Sequence, residues 1–153
     1  MSFKERLITL QFLLGVDADK TPATFNAQGD DAVTLENHRV AVSIAKSLGP
    51  TSGEAHIVVY GLQPSILNKL ASLNQATAVV KRNRVIVWVG DKDWQSVVFD
   101  GQIVLAQADM SQQPTTTLKV SAMGTGYIAV QVVSPTSYPG DVDAADVLRT
   151  LAD

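Results

Sequence analysis

Residues 97–122 read VVFDGQIVLAQADMSQQPTTTLKVSA. The run holds an apolar segment interrupted at Asp100-Gly101, a second apolar segment, a polar turn around Pro114, and a last segment in which apolar and polar residues alternate. Alternation with a period of two marks a half-buried strand, and glycine and proline punctuate between strands. Three short strands joined by turns are the material of a small barrel or sandwich. No catalytic signature lies in the run.

The segments on either side continue the pattern. Residues 85–89 (VIVWV) are apolar at every position. Such a strand is either covered on both faces or lies in a subunit interface. Val85, Val87, Trp88 and Val89 are therefore candidate interface residues. Residues 90–94 (GDKDW) read as a turn. Further upstream, residues 55–60 form a strand and 48–53 (LGPTSG) a turn, while Val40, Val42 and Ile44 alternate with Arg39, Ala41 and Ser43 as another strand.

Between the strands, Pro64 suits a first helical turn, Ile66, Leu67, Leu70 and Leu73 recur at helical spacing, and Asn74 can end the helix. Its apolar stripe should lie against the barrel wall. Residues 7–14 (LITLQFLL) read as the first strand. Residues 17–31, with Pro22 and the single aromatic Phe25, read as a long loop. Downstream, 127–133 (YIAVQVV) reads as a strand and 134–140 (SPTSYPG) as a loop. Asp143 then caps a short helix with Val147, Leu148 and Leu151 on one face. A helix of about ten residues is marginal alone, so this one either docks back on the barrel or opens a further domain. The expected class is mostly β, a small β-barrel or sandwich with one flanking α-helix.

The bulk composition fits one domain. The chain has 153 residues, 46% hydrophobic and 18% charged, with net charge −3. That is enough apolar content for a core and too little charge for disorder. The overall basic footprint of a phosphate-gripping protein is missing. There is no cysteine, which excludes disulfides, thiolate catalysis and cysteine-based zinc sites. No apolar stretch approaches the ~20 residues that span a bilayer. Gln11 interrupts the apolar start and no small-residue cleavage site follows, so a secretory signal is not expected.

Few residues offer chemistry. His38 and His56 lack metal-ligand spacing, and a Ser-His-Asp triad built on either would have no G-x-S-x-G turn. Asp91 and Asp93 stand two apart, but a calcium loop needs more oxygen ligands and a closing Glu; a solvated hairpin turn is the plain reading. Gly124-Thr125-Gly126 reads as a bend between strands. Lys81, Arg82 and Arg84 form a candidate basic patch with Trp88 and Tyr60 near them in the strand pattern. Basic residues among aromatics can grip single-stranded nucleic acid. Three charges at a strand entrance can equally be a solvated turn or a guarded edge. No metal, no cofactor and no enzymatic activity are expected.

Taken together, the pattern resembles the N-terminal barrel part of baseplate hub proteins of contractile phage tails. The resemblance is carried by 35–44 (LENHRVAVSI), Gly49-Pro50 followed by 55–62 (AHIVVYGL), 64–73 (PSILNKLASL), 84–90 (RVIVWVG) and 98–103 (VFDGQI). Pro114 leading to 118–122 (LKVSA), and 137–140 (SYPG) before Asp143, complete it. Order and spacing agree over nearly the whole chain, although no single motif is specific. The resemblance implies a β-barrel hub domain of the tail-tube type over residues 1–136, then a linker and the start of a helix over 137–153 that leads to a second domain. It implies a structural, non-catalytic role linking tail tube and central spike. The partners would be other hub subunits (a homotrimer when complete), the spike protein and the tail tube protein. DNA would only pass through a lumen, no membrane would be involved, and the location would be the tail baseplate of a phage or prophage virion. One alternative is a tube-like ring protein of a contractile injection machine. Another, of a different class, is a single-stranded nucleic-acid-binding barrel using Lys81, Arg82 and Arg84.

Overall fold

The computed structural model describes residues 6–16, 21–46, 53–71, 82–111 and 115–124. In chain order these form β1 (Leu7–Leu13), β2 (Ala32–Leu35), β3 (Val40–Ala45), β4 (Glu54–Tyr60), α1 (Pro64–Leu70), β5 (Arg84–Gly90), β6 (Gln95–Asp109) and β7 (Thr117–Met123). The strands make one antiparallel sheet in the order β2-β1-β5-β6-β7-β4-β3.

The two edges of that sheet, β2 and β3, are consecutive in the chain. Only residues 36–39 separate them, a link that can span at most about 18 Å from Leu35 to Val40. A flat sheet of seven strands would hold its edges about 29 Å apart. The sheet must therefore be rolled, with one face turned inward. Asn37 sits at φ 59, the left-handed conformation that lets the chain bend sharply there. No ladder joins β2 to β3. The mostly-β expectation holds; among the described residues the sheet is not closed into a barrel.

Inward positions follow the period of two. Leu10 and Phe12 on β1, Val85 and Val87 on β5, Ile57 and Val59 on β4, and Leu118 and Val120 on β7 are all buried. The seven-residue α1 is too short to stand alone. It is held by Leu67 and Leu70, which enter the same core. Pro64 occupies its first turn as expected. The helix stops at Leu70 because Ala71 is already extended, three residues short of the stripe read from the sequence.

β6 differs most from expectation. Asp100-Gly101 does not break it; the strand runs unbroken through fifteen residues. Register slips opposite Val98 and Val104 mark two bulges. Bulges bend and twist a long strand, which lets β6 follow the roll. They also shift which residues face in: Phe99, Gly101 and Ile103 are buried, then Ala106. β2 has no counterpart in the sequence reading. Four residues with one buried leucine, Leu35, are too few to show a period. The expected strand at 127–133 and everything at 137–153 lie outside the described residues.

The described part of the expected long loop is ordered by its own side chains. Asn26 Nδ2 donates to Asp30 Oδ2 at 2.6 Å and Asp30 N donates to Asn26 Oδ1 at 3.0 Å. Ala23 is buried and Phe25 packs against the core. Asn83 joins distant parts of the sheet. Its buried side-chain oxygen accepts from Gly15 N at 3.1 Å, and its carbonyl accepts from Ile103 N at 2.8 Å. Asn83→Ala should lower unfolding free energy by about 1–2 kcal/mol, because Gly15 loses its acceptor in a part-buried setting. Urea denaturation followed by circular dichroism would measure it.

Candidate interaction surface

β5 presents the two-faced apolar strand of the sequence reading, and the rolled sheet assigns its faces. Val85 and Val87 are fully buried in the core of this chain, and Val89 packs against that core. Ile86 and Trp88 therefore point to the outer face. Trp88 stands opposite Thr9 on β1 and Val97 on β6. Val97 is 50% exposed, and Trp94, in the turn between β5 and β6, is 65% exposed. The outer face thus carries a partly exposed apolar row, Trp88 and Val97, beside a turn that holds an exposed tryptophan. Sequence reading placed Trp88 in this group but missed Val97 and Trp94. Their only signal was an apolar residue in a strand read as buried and an aromatic in a polar turn.

Of the basic cluster, the described residues are Arg82 and Arg84. Arg84 grips Asp100 in a two-pronged ion pair, Nε to Oδ1 at 2.6 Å with Nη2 on Oδ2. That hydrogen bond holds the Arg84 guanidinium above its ordinary pKa. Arg82 is exposed at φ 53, and Lys81 lies outside the described residues.

At the far side of the outer face, Lys119 donates to Asp109 Oδ2 at 2.8 Å, while Ser111 N and Oγ donate to Asp109 Oδ1 at 3.0 and 2.6 Å. These bonds, with Lys119 first, hold the Asp109 carboxyl well below the usual carboxylate range and raise Lys119. A carboxyl depressed on folding favours the folded state above its unfolded pKa. The contribution is lost as pH falls below the ordinary carboxylate range. Both groups are exposed, so salt screens it.

His56 does meet a serine and a carboxylate. Its Nδ1 lies 3.2 Å from Ser121 Oγ and its Nε2 3.1 Å from Glu54 Oε1. The three form an exposed polar patch on the outer face, with the His56 and Glu54 side chains more than half exposed. Ser121 sits on β7, which is laddered to β4 on one side and β6 on the other. His38 Nδ1 lies 3.0 Å from the Glu36 carbonyl oxygen. Among the described residues no three His, Asp or Glu side chains gather as a metal site. Asp91 accepts from the N–H groups of Asp93 and Trp94, each at 3.0 Å, and so closes the hairpin turn.

No protein-family model matches the chain, and no curated protein matches it. Among solved structures, two that share its fold are large assemblies. A chain from the virion of a native gene transfer agent particle superposes with a TM-score of 0.52 at 11% identity, over 88% of this chain and 45% of that one. A chain from the Francisella PdpA–VgrG complex, in its half-lidded form, superposes with a TM-score of 0.51 at 10% identity, over 79% of this chain and 18% of that one. At such identities the likeness is one of fold. This chain spans less than half of the first protein and under a fifth of the second.

Proposed function

We propose that this chain is a non-enzymatic structural component of a phage-like tail, acting in the baseplate hub between tail tube and spike. The observation that carries the reading is the recurrence of one rolled sheet over most of this chain in two large assemblies, a virion particle and a VgrG-containing complex. The partners are further hub copies, the spike and the tube, and the site of action is the virion's tail. A surface for such contacts is the outer apolar row at Trp88 and Val97 with Trp94 at its end. Apolar residues gathered on an otherwise polar face mark protein contacts.

Trp88→Asp in the whole protein should block particle assembly while leaving the domain folded. The substitution adds a charge to the outer face and removes no core side chain. Tail particles counted by negative-stain microscopy, with circular dichroism of the purified variant, would check it. Normal particle numbers from the folded variant would contradict this surface.

A further inference from the structure

We propose that the cleft between the start of β1 and the β2–β3 bend accepts an acidic, extended segment of a partner protein. β2 pairs with β1 only opposite Leu10–Leu13. On that side Leu7, Ile8 and Thr9 have no ladder partner among the described residues, while β3 leaves β1 to pair with β4. The bend at Asn37 thus opens a wedge in the rolled sheet. It opens a surface cleft of about 520 Å³, lined by Arg6, Leu7, Ile8, His38, Arg39 and Val40. An unpaired strand edge is a template for an added strand.

The charge of the cleft selects among strands. Arg6 and Arg39 bring two permanent positive charges to it, and no carboxylate among the described residues forms an ion pair with either. The nearest acidic residue of the link, Glu36, approaches His38 by its carbonyl oxygen and not by its carboxylate. Arg39 also contacts Tyr60 on β4. Its guanidinium lies 4.6 Å from the centre of the Tyr60 ring, and its carbonyl accepts from Tyr60 N at 3.0 Å. The chain as a whole is acidic, at −3, so the positive cleft is a local exception. The arginines alone would accept any anion. The edge beside them, unpaired among the described residues, favours a peptide backbone, whose side chains on one face would then reach the arginines.

The test is an amide NMR titration of the full chain with an eight-residue Glu-Thr repeat peptide at low salt. Saturable shifts should appear at residues 6–9 and 37–40. A Lys-Thr repeat should produce none. The double variant Arg6→Gln/Arg39→Gln should bind at least about tenfold more weakly while its spectrum shows an intact fold. A Glu-Thr peptide N-methylated at alternate residues should lose affinity likewise, since it cannot pair with an edge. Absence of saturable shifts, equal binding by the double variant, or shifts centred elsewhere would overturn the proposal. So would inorganic phosphate giving the same shifts at the same concentration as the peptide, because the cleft would then be a simple anion site.

Discussion

Gly101→Val is expected to unfold the domain. A Cβ at position 101 would lie 2.4 Å from the Met123 carbonyl oxygen and 2.7 Å from the tip of the Phe99 ring. The first is backbone of β7 in the middle of the sheet and cannot swing aside as a flexible side chain could. Phe99 is itself buried, so its ring would have to move into packed neighbours. Overpacking of a core usually costs about 1–3 kcal/mol. Here a β-branched residue also presses on a strand laddered on both sides, and more than about 3 kcal/mol is expected. Against a typical stability of about 5–15 kcal/mol, that removes much of the margin. Gly101→Ala should act in the same direction with a smaller effect. Asp100→Asn is the control: it removes only the exposed pair with Arg84, worth at most about 1 kcal/mol. Thermal melts by circular dichroism would rank the three. A Gly101→Val melt close to that of the parent would show that β6 does not lie against β7 as described.

Val87→Asp is expected to be as damaging, for a different reason. Val87 is fully buried, opposite Phe99. A carboxylate there has no cation in reach on its own strand face. It must either stay charged in an apolar setting or take up a proton at neutral pH, and both cost several kcal/mol. Trp88→Asp, one residue along, places the same group on the outer face and should leave the far-ultraviolet spectrum and the cooperative melt in place. The contrast between adjacent positions tests the face assignment of β5 directly. If both variants fold, or neither does, the assignment is wrong.

Much of the sheet was legible because its strands carry clean signals. The alternation at 40–44 and at 118–122, the apolar run at 85–89 and the Pro64 helix all became elements within a few residues of their expected ends. The failures have physical causes. Asp100-Gly101 looks like a turn in sequence because Asp-Gly usually is one; here the glycine is required by the close approach of Met123, a contact between residues far apart in the chain. β2 is legible only through its pairing with β1. The bulges at Val98 and Val104 cannot be read locally, since a bulge exists only relative to a partner strand.

The candidate surfaces were half legible. The apolar character of 85–89 is plain in sequence, but which valines face the core depends on the inward phase of β1 and β6. Lys81, Arg82 and Arg84 look like one patch because they are neighbours in the chain. In the structure Arg84 donates to Asp100. Arg6 and Arg39 are thirty-three positions apart and nothing in the sequence joins them; only the bend at Asn37 brings both to one cleft.

Electron cryo-microscopy of tail particles from cells that produce this protein tests the central claim most directly. The account predicts density for this rolled sheet in a ring at the base of the tail, between tube and spike. Particles with a complete baseplate and no such density would contradict it.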